Sequence, residues 1–131
     1  MDVFRKNCSA NEIRLQTIVA EMGLAPQIRE TDNETYMVMD KLPAMNIGDM
    51  YGTTIRSLPH YVRKGIVDTL RTLYETKGIQ FVDITPYNFI EYGKRIWIID
   101  FGDAYDDQEE VHPHLNKILT SGLLRWNPEF K

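Results

Sequence analysis

The segment Arg95-Ile96-Trp97-Ile98-Ile99 constrains this chain of 131 residues more than any other. An unbroken apolar run bounded by a turn and a carboxylate fits a strand that is buried on both faces. It falls far short of the roughly 20 apolar residues that a membrane-spanning helix needs. Phe89-Ile90-Glu91 precedes it, and Tyr92-Gly93-Lys94 between the two reads as the turn of a hairpin. The second strand ends at Asp100-Phe101-Gly102. Any fold of this chain must cover that hairpin with other elements and must leave a carboxylate at the end of a buried strand.

The covering elements are legible from their period. Leu15, Ile18, Val19 and Met22 share one face of a helix predicted from about Ser9 to Met22. Ser9 and Glu12 form a capping box at its start, and Gly23 suits the position just past its end. A second helix is predicted from about Leu58 to Thr76, with Val62, Ile66, Leu70, Leu73 and Tyr74 on one face. Ser57 is its expected cap, Pro59 is tolerated in the first turn, and Gly78 stops it. A third helix is predicted from about Pro113 to Ser121, with Leu115, Ile118 and Leu119 aligned. Pro26 to Glu30 and Thr35 to Met39 read as two strands around a turn at Thr31-Asp32-Asn33-Glu34. Leu42-Pro43 ends regular structure, and Ile47-Gly48-Asp49-Met50 is a short polar-apolar stretch. The order is helix, two strands, helix, hairpin, helix, which defines an α+β domain.

Apolar residues make up 43% of the chain and charged residues 26%, with a net charge of −4. That apolar share supports one folded domain and argues against disorder. A net negative chain is ill suited to hold nucleic acid by neutralising phosphates. Cys8 is the only cysteine, so no intrachain disulfide forms, and a reducing compartment is the natural setting. Met1-Asp2-Val3-Phe4-Arg5-Lys6 lacks the apolar stretch of a secretory signal. The expectation is a soluble, intracellular, cytoplasmic protein with no nucleic-acid or membrane partner.

Three polar residues stand where the pattern predicts burial or a strand end: Asp83, Asn88 and Asp100. Asp83 and Asn88 share a loop that contains Pro86. The hairpin can bring Asp100 back beside Asn88. One anionic and one neutral side-chain oxygen there suit a hard cation such as Mg²⁺, which would keep waters and take phosphate oxygens. Asp83 is then a second carboxylate near the same spot, placed to receive a proton from an attacking hydroxyl.

Asp83-Ile84-Thr85-Pro86-Tyr87-Asn88 resembles the catalytic loop of the protein kinase family, D-x-x-x-x-N, and Asp100-Phe101-Gly102 resembles its D-F-G motif. The hairpin between them fits the family's spacing. Tyr36-Met37-Val38-Met39-Asp40-Lys41-Leu42 is similar to the strand and hinge that hold adenine. The resemblance implies that Met39 is the gatekeeper and that the Asp40 carbonyl and Leu42 amide face the adenine edge. The first helix resembles the family's αC helix, with Glu12 as its glutamate. The Leu58 to Thr76 helix resembles the one before the catalytic loop. By the same resemblance Asp83 is the catalytic aspartate, Asn88 and Asp100 are metal ligands, and Mg²⁺ or Mn²⁺ with ATP is the cofactor. The implied fold is a reduced protein-kinase-like α+β fold spanning 1–131, with a partial upper lobe and hinge at 9–42 and a shortened helical lower lobe at 43–131.

The departures from the family are equally specific. Only eleven residues precede Glu12, too few for a glycine-rich loop plus the strand that bears the phosphate-binding lysine. Neither G-x-G-x-x-G nor V-A-I-K occurs. Lys6 is too close to Glu12 in sequence to be that lysine, and the capping box explains Glu12 without one. Phe81 and Val82 stand where the family has His and Arg, and Thr85 stands where it has Lys. The 29 residues after Gly102 leave no room for the usual activation segment and lower-lobe helices. Compact proteins of this kind resemble kinase-like proteins of large DNA viruses. The expected activity is weak Mg·ATP-dependent transfer to a Ser/Thr hydroxyl, with Arg5 and Lys6, or a second chain, covering the phosphates. The alternative is a pseudokinase-like module that regulates a partner protein, and a homodimer could complete the sheet. Asp103 through Glu110 reads as a solvated acidic loop, His112 and His114 as residues of a polar turn, and Cys8 as inert. Trp126 and Phe130 are expected to hold the tail on the body.

Overall fold

Two small antiparallel sheets and four α-helices make up the computed structural model, which describes residues 2–130. The first sheet has the order β1-β3-β2, formed by Val3–Asn7, Tyr36–Asp40 and Ile28–Thr31 respectively. The second is the hairpin of β4 (Phe89–Tyr92) and β5 (Arg95–Ile98). The helices are α1 (Ala10–Glu21), α2 (Ile47–Tyr51), α3 (His60–Lys77) and α4 (Pro113–Ser121). No helix among the described residues is long and apolar enough to cross a membrane.

The local signals act as their chemistry requires. Ser9 is extended, and its Oγ accepts the Glu12 amide at 3.1 Å to start α1. Gly78 closes α3 in the left-handed conformation (φ 67°), which L side chains avoid. In the hairpin turn Gly93 and Lys94 both have positive φ, 60° and 63°. Two left-handed residues in a row are what a two-residue turn needs to match the strand twist.

One apolar core joins α1 (Leu15, Val19), α3 (Val62, Ile66, Leu70, Leu73), the hairpin (Phe89, Ile96, Ile98) and α4 (Leu115, Ile118). A smaller cluster of Ile13, Met37 and Met39 lies between α1 and the three-stranded sheet. At the centre, Phe81 meets Phe89 and Phe101 edge to face, at centroid distances of 5.9 and 5.6 Å. All three rings are buried.

The structure corrects the sequence reading in several places. β5 is not buried on both faces: Ile96 and Ile98 are buried, but Trp97 between them is only half-buried and donates its indole N–H to Tyr92 O at 2.8 Å. A two-stranded hairpin covered on one side alternates, as any half-covered strand does. Ser57 does not cap α3. It sits in a 3-10 turn, Ile55–Ser57, and the helix starts at His60. Leu58 precedes a proline, which disfavours helical backbone, and it is extended (φ −81°, ψ 133°). β1 and α2 are additional elements. β1 is mostly exposed and so carries no apolar period. α2 spans only Ile47–Tyr51, with the Asn46 side chain accepting the Asp49 amide at 2.9 Å.

Truncating Phe81 to Ala should lower stability by about 3–5 kcal/mol, the usual cost of deleting a buried aromatic ring. Urea unfolding measures it. A loss below about 1 kcal/mol would contradict the central place given to these rings.

Candidate functional site

A cavity of about 500 Å³ opens between the two sheets. Met39, Leu42, Ile90 and Ile99 line its apolar part, and Lys6, Asn88 and Asp100 line its polar part. One pocket therefore gathers residues from β1, β3, the segment after β3 and both ends of the hairpin.

Lys6 is the hub of the polar end. Phe4 and Lys6 lie on one face of β1, since alternate residues of a strand share a face. From there the Lys6 ammonium donates to the Glu12 carboxylate and to Asp100 Oδ1, the latter at 3.1 Å. β1 ends at Asn7 and α1 starts at Ala10, so the chain reverses within two residues and Glu12 comes to lie below the strand. The sequence distance that argued against Lys6 is thus spanned by a tight turn, and the exclusion of Lys6 is overturned as geometry. Burial pulls the lysine pKa down, but the bond to Glu12 and the charges of Asp100 and Glu12 outweigh it, and the net shift is upward. Glu12 is buried. Its amide serves the Ser9 cap while its carboxylate serves Lys6, so only half of the predicted capping box forms.

The segments bearing Asp83, Asn88 and Asp100 are joined by one side-chain and one backbone hydrogen bond. The Asn88 Nδ2 donates to Asp83 O at 2.8 Å, and the Ile99 amide donates to Asn88 O at 3.0 Å. Asp100 has φ 71°, a left-handed conformation that is costly for a residue with a Cβ. It turns the chain sharply, and the Asp100 Oδ1 accepts the Gly102 amide at 3.1 Å. Gly102 leaves little spare room: a Cβ there would lie 3.2 Å from Asp100 Oδ1 and 3.5 Å from Glu12 Oε1. Burial raises the Asp83 pKa above its ordinary value; hydrogen bonding by the Asn88 side chain works against this, and the charges of Asp100 and Asp103 add to it. A carboxylate so placed is a better proton acceptor than a free one.

The loop around Asp83 is clamped from the far end of the chain. Buried Asn127 donates its Nδ2 to Val82 O at 2.8 Å and its amide to Ile84 O at 3.0 Å. These are the carbonyls on either side of Asp83. Trp126 reaches Thr53 O at 2.8 Å and packs on the main core, which holds the tail in place. Sequence reasoning missed Asn127, because no local pattern links a polar tail residue to a loop more than forty positions away. Phe81 stands on the Phe101 ring, so the segments bearing Asp83 and Asp100 are packed together through the aromatic core.

At the apolar end, Met39 is buried, and Gln16 Nε2 donates to its sulfur at 3.3 Å and to Pro26 O at 3.1 Å. The Asp40 carboxylate accepts two bonds from Arg29, both at 2.7 Å. This pairing holds Asp40 below its ordinary pKa. The Asp40 side chain is thereby committed to structure, and its amide donates to Gln27 O at 2.9 Å. Among the described residues the Leu42 amide donates to no partner, so it is free to meet a ligand. Outside the cavity, Asp106 of the acidic loop is paired to Arg14 by two bonds of 2.8 Å. His112 Nδ1 accepts the His114 amide at 3.2 Å and caps α4. Cys8 packs partly buried against the smaller core, and burial raises its thiol pKa.

Compared with models of known protein families and with curated proteins, the chain matches none. The site is therefore described by its own chemistry: the Lys6 ammonium, the Asn88 side-chain amide and the Asp100 carboxylate at one end of an apolar slot, with the half-buried Asp83 carboxylate close by.

Replacing Lys6 by Met should destabilise the fold by about 3–5 kcal/mol, because Glu12 then stays buried without its partner. Adding Glu12→Leu should recover most of that loss. Urea unfolding of both variants at neutral pH checks it, and a single variant as stable as the native chain would contradict the pairing. Asp83→Asn should leave the fold as stable or make it more stable at pH 7. An Asp whose folded pKa is raised favours folding below the ordinary value, 3.8, and loses that contribution as pH rises through the folded value. The advantage of Asn over Asp should therefore fade in acid. Melting temperatures measured between pH 3 and pH 7, in steps of about one unit, read the trend.

Proposed function

We propose that the chain is a minimal protein-kinase-like phosphotransferase that moves the γ-phosphoryl group of Mg·ATP to a Ser/Thr hydroxyl. The observation that carries this reading is the three-way contact of Lys6 with Glu12 and Asp100 at the polar end of an apolar slot. The resemblance of the Asp83 loop and of Asp100-Phe101-Gly102 to kinase motifs supports it, as does the free Leu42 amide where an adenine edge would lie. Val3-Phe4-Arg5-Lys6 on β1 takes the part that the family gives to the lysine-bearing strand.

The donor set suits a hard divalent cation. Asn88 spends its N–H on Asp83 O, which leaves its Oδ1 available, and Asp100 supplies a carboxylate. Among the described residues no three His, Cys, Asp or Glu side chains cluster as metal ligands. A magnesium site completed by water and phosphate oxygens does not need three. Such an ion would neutralise and orient the phosphate oxygens. Lys6 would hold the phosphates by charge, with Glu12 keeping it aimed. Asp83 would accept the hydroxyl proton as the hydroxyl oxygen forms its bond to the γ-phosphorus and the bond to the ADP oxygen breaks. Phosphoryl transfer depends mainly on such positioning and charge neutralisation. No loop amides from the described residues cover the phosphates. Since one preorganised donor is typically worth about 10²–10³ in rate, turnover should be slow.

A second reading has its own observation. β1 is an edge strand. The Cys8 amide bonds Thr35 O and the Lys41 amide bonds Asp2 O, so alternation leaves the backbone groups of Val3, Arg5 and Asn7 facing outward. An open edge can take a strand from another chain, which suits a regulatory binding module or a homodimer.

Incubation with γ-labelled ATP, Mg²⁺ or Mn²⁺ and a Ser/Thr-containing protein mixture tests the first reading. The native chain should transfer label, and Asp83→Asn should lose at least about a hundredfold, within the range set by losing a positioned base. Equal transfer by both would dismiss it. Stabilisation by Mg·ATP without any transfer would favour the binding module.

A further inference from the structure

A separate cavity, of about 290 Å³, lies between α4 and the tail that follows it, and it shares no lining residue with the cavity between the sheets. His114, Lys117 and Ser121 line it from α4, where spacings of three and four residues put them on one face. Arg125 and Leu124 line it from the tail. Neither cation is spent inside the protein. Among the described residues, the ion pairs take up Lys6, Arg14, Arg29, Lys64 and Arg71 but not Lys117 or Arg125. His114 is 8% exposed, and its Nε2 is buried without a hydrogen-bond partner. A buried polar atom left in that state calls for a cause. Burial lowers the His114 pKa; hydrogen bonding with the Arg125 backbone opposes this, and the charges of Arg125, His112 and Lys117 add to it. His112 itself turns to Glu129 at 3.2 Å. The groups that face the His114 ring are thus basic, and what this pocket lacks is an anion.

We propose that the pocket between α4 and the tail binds the phosphate group of a phosphate monoester, with Lys117, Arg125 and Ser121 each meeting one of its oxygens. A phosphate monoester offers three strong acceptor oxygens and a charge of about −1.5 to −2 at neutral pH. A carboxylate offers only two oxygens and a single charge. Three donors on three separate side chains match the first better than the second. Ile118 and Leu124, the latter 68% exposed, line the same pocket and would cover the carbon part of the ester. One effect works against the anion: Ser121 and Gly122 stand at the C-terminal end of α4. That end carries only about half a negative charge, screened and confined to the last turn, so two full cations outweigh it. The site does not depend on the nucleotide reading above, and either can fail without the other.

Titration of the ¹⁵N-labelled full chain with N-acetyl-O-phosphoserine amide, followed by NMR at pH 7 and constant ionic strength, tests this. Amide shifts should cluster at Lys117, Ser121 and Arg125. N-acetylaspartate amide should bind at least about fivefold more weakly, equal to about 1 kcal/mol. Lys117→Gln and Arg125→Gln, both at exposed positions, should each weaken the phosphoserine compound by about fivefold or more, and the double variant should lose it. Mg·ATP, whose phosphates already hold a metal, should leave Ser121 unmoved. On the native chain, saturation with the phosphoserine compound should raise the His114 ring pKa, read from its ring resonances. No binding at tens of millimolar, equal binding of the aspartate compound, or undiminished binding by the double variant would each overturn the site. So would binding that leaves the His114 titration unchanged, because the ligand would then sit elsewhere.

Discussion

The Lys6 ammonium ties together the edge strand β1, the buried Glu12 of the adjoining helix α1, and Asp100 at the far end of the hairpin. A buried carboxylate is costly unless it is paired. Glu12 is buried because α1 must cover the sheet, so a cation has to be brought to it. β1 brings that cation, and the same cation then reaches Asp100. The requirement to neutralise one buried charge therefore sets the polar end of the cavity. The exposed residues of β1 add little apolar burial, and the sheet order β1-β3-β2 gives the strand only one neighbour. The ion pair is what makes its position matter.

The rest of the site is arranged around groups held in unfavourable states. Asp100 adopts a left-handed backbone, and Asp83 carries its charge where burial opposes it. Both are held by neighbours that are rigid for ordinary reasons. The Phe81, Phe89 and Phe101 rings fix the segments on which the two aspartates sit. Asn127 binds the carbonyls flanking Asp83. Strain and desolvation persist only where the surroundings over-determine them, and they concentrate where a chain does chemistry. Left-handed backbone also occurs at the exposed turn residues Asn33 and Lys94, and the surface pairs Arg14 with Asp106 and Lys64 with Asp68 are of small worth.

Much of this was legible in the residues. The period of Leu15, Ile18, Val19 and Met22 and the Ser9 cap locate α1. Gly78 locates the end of α3, and Gly93-Lys94 locates the hairpin turn. These are local signals, and local sterics obey them. Asp83, Asn88 and Asp100 could be grouped because a hairpin joins them directly. The Lys6–Glu12 contact is not legible from spacing along the chain, because a two-residue reversal puts the two face to face. β1 was missed because a strand with one neighbour and an exposed face need not alternate in polarity. Asn127 was out of reach because its partners lie across the whole fold. Trp97 shows the limit of reading burial from an apolar run, since its indole N–H finds a carbonyl at the surface instead.

Lys6, Leu42, Asn88 and Asp100 line one cavity, which we propose is a nucleotide slot. Amide chemical shifts of the ¹⁵N-labelled chain, followed by NMR during titration with Mg·ATP, test it most directly. The account predicts that the largest shifts cluster at Lys6, Leu42, Asn88 and Asp100, with Asn33 and Ser121, far out on the surface, unmoved. Shifts scattered over the surface or concentrated away from the cavity, or none at saturating nucleotide, would contradict it.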